Sequence, residues 1–513
     1  MSEKTRRLSP WRVVLAILIV AGLGAGSYFG FQHWKSEQPV TSRTPWFAGY
    51  VDVTSTPTYA FEQLGTNDHK DVLLSFIVSS TSKDCVPSWG GAFTLDQAGD
   101  TLDLDRRIAR LKQEGGNVAV SFGGLKNKEL ASSCSDVASL KAAYSAVIDR
   151  YQLDTIDLDV EQGNLSDSSA SARRAQAIAQ LQSERRAEGK NLAVWMTLPV
   201  SPTGLTEDGT NAVSQLLDKK VDLAGVNAMT MDYGQSLNGM SMIDASTSAL
   251  SATQRQLGIL YQRAGIYLNN ATVWSKIGAT PMIGQNDSEN EVFTLDDAKQ
   301  LNKFARSKGV ARMSMWSANR DIVCGSNYTD TKVVSDSCSG VKQQAHSFAN
   351  VLGEGFDGSL TFSAGVVTTA DSKTEQAADD PATSPYQIWS DEGAYLQGTK
   401  VVWRHNVYEA KWWTQGNTPD NPVLQEWETP WKLIGPVLSG EKPVQQVTLP
   451  AGTYPDWSGT VAYDTGQRVL FKGVPYNAKW WNQGQSPAAA TSNPDASPWV
   501  PLTQAQINAI KGQ

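Results

Sequence analysis

Short apolar runs alternate with amphipathic segments over most of the first 320 residues of the chain. Eight of these runs have the length and composition of buried strands. Helical periodicity separates them and is clearest in LDLDRRIARLKQEGG (102–116), which ends in a helix-stopping glycine pair. This alternation predicts an α/β fold, a (β/α)8 TIM barrel over 46–367, with reactive residues at the carboxyl ends of the strands. We expect the strands at 46–53, 72–80, 117–124, 155–161, 191–200, 222–234, 280–284 and 311–321.

The last third of the chain contains an internal repeat. Residues 368–385 lack apolar periodicity and indicate a linker. After it, the segment that contains AKWW at 410–413 recurs without gaps as AKWW at 478–481, an offset of 68 residues. Two gapless copies indicate two small β-rich modules. We place them at 386–438 and 454–505, joined by a linker over 439–453.

The amino terminus has the charge pattern of an export or anchoring signal. Residues 1–12 are basic, and 13–31 form an almost uninterrupted apolar run of 19 residues, long enough to span a bilayer as a helix. The pattern predicts a cytoplasmic tail, then a retained signal anchor or a signal peptide cut near 25–27, and a spacer over 32–45. In either case we expect the rest of the chain outside the cytoplasm, either membrane-anchored in the periplasm or at the cell exterior, or secreted.

Composition narrows the class of protein. The net charge of −8 and the absence of a basic block beyond the amino terminus disfavour nucleic-acid binding. Four single histidines and no CxxC motif predict no metal site and no cofactor. Four cysteines permit three pairings. We predict Cys85–Cys134 and Cys324–Cys338 disulfides, which require an oxidising compartment; the alternative of four free thiols in a cytosolic protein conflicts with the amino terminus.

Candidate chemistry is concentrated in the fourth predicted strand, which reads DTIDLDVE over 154–161. Side chains alternate faces in a strand, so Asp157, Asp159 and Glu161 point the same way. Neighbouring carboxylates in a barrel interior oppose each other's ionisation, so some must share protons or find donors. The arrangement is expected to raise the pKa of at least one carboxyl group, as a general acid at neutral pH requires.

These residues resemble glycoside hydrolase family 18. The DxxDxDxE signature of that family matches at Asp154, Asp157, Asp159 and Glu161, and its SxGG motif matches at Ser121, Gly123 and Gly124. Met229 to Asp232 resembles the sixth-strand motif MxYD, with Met231 where the family has tyrosine. Trp316 resembles the tryptophan that floors the cleavage subsite. The resemblance covers 46 to about 360.

The resemblance implies a chitinase that retains anomeric configuration without an enzyme nucleophile. Glu161 would protonate the glycosidic oxygen and the substrate's acetamide oxygen would attack the anomeric carbon. Asp159 would orient the acetamide, and Asp157 would hold Asp159 and share its proton. A role at the start of the strand is implied for Asp154. Metals and cofactors play no part in this scheme.

Further residues are candidates for sugar contacts. We expect Asp232 and Tyr233 together to supply the polar contacts that the missing tyrosine would make, beside Met229 and Met231. Gln285, Asn286 and Asp287 are candidate hydrogen-bonding residues after the seventh strand, and Tyr50 either lines the cleft or packs in the core.

The repeated modules resemble carbohydrate-binding module families 5 and 12, whose hallmark is AKWW. Adjacent residues in a strand face opposite sides, so one tryptophan of each pair, Trp412 with Trp413 and Trp480 with Trp481, is expected in the core and the other at the surface. Two such sites would raise avidity for a polymer.

The expected partners are therefore chitin or another N-acetylglucosamine polymer, and a membrane if the apolar segment is kept. Two alternatives stay open: an endo-β-N-acetylglucosaminidase acting on N-glycans, and an inactive chitin-binding lectin, although such lectins typically lose the glutamate that Glu161 supplies.

Overall fold

A computed structural model describes residues 44–63, 69–326, 328, 333–360, 378–438, 440–443, 447–490 and 492–511. The chain divides into two compact units, 1–372 and 373–513. The predicted apolar segment 13–31 lies outside the described residues, as does much of the predicted linker. Of the helices that are described, none combines the length and apolar character of a membrane span.

Eight parallel strands close into a barrel in the first unit, so the (β/α)8 prediction is confirmed. The first strand pairs with the last through its first piece (Trp46 beside Arg312) and with the second strand through its second piece (Gly49 beside Val72). Every other neighbour in the ring is also parallel. The strands are β1 (Trp46–Phe47 and Gly49–Asp52), β2 (Val72–Ser79), β3 (Val118–Gly123), β4 (Thr155–Asp159), β5 (Ala193–Ser201), β6 (Leu223–Met229), β7 (Ile277–Thr280) and β8 (Arg312–Met313).

Helices follow the strands around the barrel and bury their apolar sides against it. They are α1 (Leu95–Thr101), α2 (Leu104–Gln113), α3 (Leu130–Ser133), α4 (Val137–Tyr151), α5 (Gln162–Ser166), α6 (Ser168–Ala187), α7 (Glu207–Asp218), α8 (Met242–Arg263), α9 (Asn270–Trp274), α10 (Leu295–Lys308) and α11 (Ser347–Gly353). Short antiparallel strands extend the loops at Pro87–Trp89, Phe93–Thr94, Gly204–Leu205, Gly284–Gln285 and Val292–Phe293.

Three predicted strand boundaries were wrong. The seventh strand is Ile277–Thr280 and not 280–284, because its small residues IGAT carry a weak apolar signal and Pro281 then ends the run. The sixth strand stops at Met229, since Asp232 adopts a left-handed conformation with φ 49°. Regular pairing in the eighth strand covers only Arg312–Met313 of the predicted 311–321.

The second unit contains two copies of one β-rich arrangement. The first copy has β9 (Ala394–Tyr395), β10 (Lys400–Trp403), β11 (Asn406–Ala410), β12 (Thr414–Gln415) and β13 (Trp431–Pro436). The second has β14 (Ala462–Tyr463), β15 (Arg468–Phe471), β16 (Val474–Ala478), β17 (Asn482–Gln483) and β18 (Trp499–Pro501), followed by α12 (Gln504–Lys511). Each copy pairs its second, third and fifth strands in one antiparallel sheet and its first and fourth in another.

Candidate active site

A cleft opens at the carboxyl ends of the barrel strands, where the barrel architecture places reactive residues. Its cavity volume is about 300 Å³, within the usual range of small-molecule sites. Several predicted site residues line it together: Tyr50, Asp159, Glu161, Met229, Met231, Asp232, Asp287 and Trp316.

The three carboxylates of the fourth strand lie on its inner face at increasing height. Asp157 is fully buried, Asp159 is 4 % exposed and Glu161 is half-buried at the cleft. The alternate side chains Leu158 and Val160 are fully buried on the outer face. Regular pairing ends at Asp159, and Glu161 continues in an extended conformation (φ −130°, ψ 159°) immediately before α5. Only Asp159 and Glu161 of the three reach the cleft.

Asp157 is held by four donors from four other strands. Its Oδ2 accepts hydrogen bonds from Tyr50 Oη at 2.7 Å and Ser121 Oγ at 2.8 Å. Its Oδ1 accepts from Thr197 Oγ1 at 2.7 Å and from the guanidinium of Arg312 at 2.6 Å. Among the described contacts none joins Asp157 to Asp159, so the expected sharing of a proton between these two groups does not match the geometry.

The two upper carboxyl groups favour their protonated forms. Burial first, and then the charges of Glu161 and Asp157, raise the pKa of Asp159 well above its usual range, and Arg312 opposes this. Among the residues that the structure describes, none is a hydrogen-bond partner of Asp159 Oδ1. Burial and the charge of Asp232 raise the pKa of Glu161 to about 7. Glu161 is therefore a carboxyl group that can give and take a proton near neutral pH.

The SxGG residues support the acidic strand from its neighbour β3. Ser121 supplies a donor to Asp157. Gly123 has φ 109°, and a Cβ there would lie 1.9 Å from the Asp159 carbonyl oxygen. A Cβ on Gly124 would lie 2.9 Å from the Phe76 ring, and its N–H donates to the same carbonyl at 2.9 Å. Glycine is required because the two strand ends touch at this point.

The side chains of Asp232 and Tyr233, which we expected to act together, lie in different places. Asp232 lines the cleft, and its Oδ1 accepts from the Ser288 N–H at 2.8 Å. Burial raises the pKa of Asp232. Tyr233 is buried, and its Oη bonds to Ser246 of α8 at 3.2 Å. The prediction that Tyr233 contacts the substrate was wrong, because the left-handed turn at Asp232 directs the next side chain into the core.

The segment after β7 contributes Met282 and, of the three candidates there, Asp287 to the cleft. Asn286 is buried, donates to the carbonyl oxygens of Met282 and Gly284, and accepts from the Asp232 N–H at 3.2 Å. Gln285 points to the Glu291 carbonyl, 3.4 Å away. Asn286 was therefore wrong as a sugar-contacting candidate, since it is buried and holds this loop. Gln285 is partly exposed and stays a prediction.

An aromatic surface forms the floor of the cleft. Trp316 lines the cleft and stacks on Phe76 with ring centroids 5.4 Å apart and planes 25° apart. Tyr50 lies beside Trp316 with centroids 6.1 Å apart. Tyr50 was expected either to line the cleft or to pack in the core, and it does both. It is 1 % exposed, donates a hydrogen bond to Asp157 and borders the cleft. Flat apolar rings suit the C–H faces of sugars.

Asp154 lies apart from this site. Its side chain is 52 % exposed and stands 4.0 Å from Arg185 at the opposite end of β4. Arg312, Thr197 and Phe76 are among the residues of the site that the sequence reasoning missed. Arg312 had one signal, a lone basic residue inside an apolar strand run. No group of three or more His, Cys, Asp and Glu side chains in the described ranges could hold a metal ion.

Both tryptophans of each AKWW stretch are exposed. The exposed fractions are 44 % for Trp412, 58 % for Trp413, 42 % for Trp480 and 60 % for Trp481. The expectation that one of each pair packs in the core was wrong, because regular strand structure ends at the preceding alanines, Ala410 and Ala478. The module cores use other aromatic residues: Tyr395, Tyr408 and Trp431 in the first copy and Tyr463, Tyr476 and Trp499 in the second.

Two disulfides are present, Cys85–Cys134 and Cys324–Cys338, and both lie in the barrel unit. The first joins the segment after β2 to the residue that follows α3. No free cysteine remains. This is the pairing favoured from the sequence among the three that were possible.

The barrel unit is similar to the catalytic domain of a chitinase of known structure. No family model matches the chain. The catalytic domain of a hyperthermophilic chitinase from Pyrococcus furiosus superposes with a TM-score of 0.53 and 26 % identity, covering 65 % of this chain and 99 % of that one. The match therefore extends over nearly all of that catalytic domain.

Two curated relatives are similar in sequence. A protein named "Probable bifunctional chitinase/lysozyme" from Escherichia coli (strain K12) is 33 % identical over 311 residues, which is 58 % of this chain and 34 % of the relative. "Endochitinase 11" from Metarhizium anisopliae is 33 % identical over 306 residues, 57 % of this chain and 56 % of the relative. The chain thus spans about a third of one relative and just over half of the other.

Proposed function

We propose that this chain is a chitinase that cleaves β-1,4 linkages between N-acetylglucosamine residues. One observation carries the proposal: Glu161, with a pKa of about 7, stands in the cleft directly above Asp159 and over an aromatic floor. A general acid must be protonated near its working pH and must reach the bond that it cleaves. The raised pKa of Glu161 and its position in the cleft support this role.

The proposed reaction uses the substrate's own acetamide. Glu161 donates its proton to the glycosidic oxygen, and the leaving sugar departs. The 2-acetamido carbonyl oxygen attacks the anomeric carbon and forms an oxazolinium ion, the substrate-assisted route known for this family. Asp159 accepts from the acetamide N–H, for which its unpartnered Oδ1 is available. A water molecule then attacks the anomeric carbon and gives a proton to Glu161, while the bond from that carbon to the acetamide oxygen breaks, so that the acetamide is restored and the sugar is released with its configuration retained.

Product analysis on two substrates tests this assignment. Chitin hexamer and an N-glycoprotein are incubated side by side with the full chain. We expect short N-acetylglucosamine oligomers from the hexamer and no released glycan. Release of glycan with an intact hexamer would assign the endo-β-N-acetylglucosaminidase activity, and binding of the hexamer without turnover would assign a lectin.

We further propose that the two copies of the second unit bind the chitin polymer. Four exposed tryptophans support this, since exposed aromatic rings in a module of such small size are costly unless they are used. A lysine lies near one ring in each copy: Lys411 Nζ is 5.0 Å from the Trp412 ring and Lys479 Nζ is 4.5 Å from the Trp480 ring. The aromatic surface therefore retains polar donors beside it.

Point variants of the full chain test the binding role. Alanine at Trp412, Trp413, Trp480 and Trp481 should reduce sedimentation with insoluble chitin and activity on it, and leave turnover of the soluble hexamer unchanged. A variant of the exposed Trp427, which has no tryptophan counterpart in the second copy, serves as a comparison. Equal losses on soluble and insoluble substrates would exclude a binding role.

Export completes the proposal. The two disulfides support an oxidising compartment, and the apolar segment 13–31 would direct the chain there, kept as an anchor or removed. Amino-terminal sequencing of the mature chain with cell fractionation tests both forms. A mature chain that starts at residue 1 or 2 in the cytosol would refute export.

A further inference from the structure

Three methionine side chains line the cleft where β6 and β7 end. They are Met229, the last residue of β6, Met231, two residues later, and Met282, two residues after the end of β7. Met231 is 8 % exposed and Met282 is 2 % exposed. These thioether side chains therefore pack mainly against protein and show a small part of their surface to the cleft. We call the three side chains together the methionine wall.

The register of the barrel strands places the methionine wall beside the carboxyl group of Asp159. Asp159 lies opposite Thr197 on β5, and Thr197 lies opposite Asn227 on β6. Met229 follows Asn227 by two residues, so its side chain is on the same inner face of the barrel, one step nearer to the cleft opening. An acyl group whose N–H is bound by Asp159 is therefore within reach of the methionine wall.

The threonine hydroxyls between Asp159 and the methionine wall are already engaged as donors. Thr197 Oγ1 donates to Asp157 at 2.7 Å, and Thr280 Oγ1 donates to Asn227 Oδ1 at 3.0 Å. Asn227 Nδ2 in turn donates to both hydroxyl oxygens, at 3.0 Å and 2.8 Å. An acyl group on this side of Asp159 therefore meets the methylene and sulfur groups of the wall, and its carbonyl oxygen stays available to attack the anomeric carbon.

Methionine suits a wall that accepts groups of different size. Its side chain is unbranched, has three rotatable bonds and carries a polarisable sulfur, so it can repack around an additional methylene group. Branched side chains are restricted at χ1 and form a surface of more fixed shape. In an apolar pocket of fixed shape, one methylene more or less on the substrate changes kcat/KM by about 10–200-fold.

We propose that the methionine wall is a specificity element that allows cleavage of N-acylglucosamine polymers whose acyl group is longer than acetyl, such as N-propionyl. This inference rests on the proposed function. The bonds that form and break are the same: the acyl carbonyl oxygen bonds to the anomeric carbon, the proton of Glu161 goes to the leaving sugar, and water later replaces the acyl oxygen. The added methylene neither bonds nor leaves, so the wall is the part of the site that adjusts to it.

Two nitrophenyl glycosides of chitobiose test the proposal on the full chain. They differ only in the acyl group of the sugar that carries the nitrophenyl group, which is acetyl in one and propionyl in the other. We expect kcat/KM for the propionyl glycoside to be less than about fivefold below that for the acetyl glycoside. A value about fivefold or more below would overturn the proposal. Lack of turnover of both the acetyl glycoside and chitin hexamer would instead defeat the proposed function.

Isoleucine at Met231 or at Met282 tests the role of the wall itself. Isoleucine is about as large as methionine and is branched at Cβ. Each variant should lower the propionyl-to-acetyl ratio of kcat/KM at least about threefold. Met242→Ile is the matched control, because Met242 lies on α8, is 7 % exposed and does not line the cleft; its ratio should equal that of the wild type.

The ratio also separates specificity from a folding defect. Both glycosides are measured on one preparation, so a partly unfolded variant loses the same fraction of activity on each, and the ratio is unchanged. A wild-type ratio in both wall variants, or an equal fall in Met242→Ile, would overturn the assignment of the methionine wall. If neither wall variant folds, the two glycosides compared on the wild type carry the test.

Discussion

Replacing Glu161 with glutamine is expected to stabilise the barrel at alkaline pH. The pKa of Glu161 is about 7, against 4.5 for an ordinary glutamate. Below about pH 4.5 the folded and unfolded chains both hold the proton, and no penalty arises. As the pH rises the unfolded chain loses its proton first, and above about pH 7 the folded chain carries the full cost of a buried charge.

The magnitude follows from the difference between the two pKa values. Each pKa unit corresponds to about 1.4 kcal/mol, so a rise from 4.5 to about 7 costs the folded state about 3 kcal/mol at alkaline pH. A barrel of about 320 residues has an unfolding entropy near 0.7 kcal/mol/K. The glutamine variant should therefore melt on the order of 5 °C higher at about pH 9.

Scanning calorimetry of the wild type and Glu161→Gln at about pH 4 and about pH 9 measures the effect. We expect equal melting temperatures at the acidic pH and a higher one for the variant at the alkaline pH. Glu188→Gln is the matched control, because Glu188 is exposed and lies on the surface after α6. Equal melting temperatures for Glu161→Gln and wild type at both pH values would contradict a raised pKa of the Glu161 carboxyl group.

Three further predictions concern the surroundings of the acid. Gly123→Ala should destabilise the barrel by at least about 3 kcal/mol in urea unfolding, because its Cβ would lie 1.9 Å from the Asp159 carbonyl oxygen; wild-type stability would contradict the close approach. Serine at Cys85 and Cys134, which lie 49 residues apart, should lower the free energy of unfolding by about 4 kcal/mol, and a loss below about 1 kcal/mol would argue against the bond. Asp232→Asn should move the alkaline limb of the kcat/KM profile to lower pH, because it removes a charge that raises the pKa of Glu161. A limb that moves to higher pH would contradict this effect of Asp232.

The barrel and the acidic strand were predictable because both depend on local periodicity. Alternation of side chains placed Asp157, Asp159 and Glu161 on one face, and the structure has them there. Periodicity fails where regular structure ends. Tyr233 follows a residue in the left-handed conformation, and the tryptophans of AKWW lie beyond the end of a strand. Strand alternation therefore no longer predicts which way these side chains point.

Arg312 shows what local patterns omit. Its partner lies 155 residues away along the chain, across the barrel interior. The sequence indicates that three inward carboxylates need donors, and it does not indicate which strand supplies them. Closure of the barrel brings Arg312, Tyr50 and Thr197 to Asp157, and that closure is a property of the whole fold.

The role of Glu161 as the general acid is tested most directly by the turnover of chitin hexamer at about pH 6 by Glu161→Gln beside Glu188→Gln. Loss of a general acid typically costs about 10²–10⁴-fold in rate. We predict a kcat at least about a hundredfold lower for Glu161→Gln and a kcat equal to wild type for Glu188→Gln. A Glu161→Gln enzyme that keeps more than about a tenth of wild-type turnover would contradict the account.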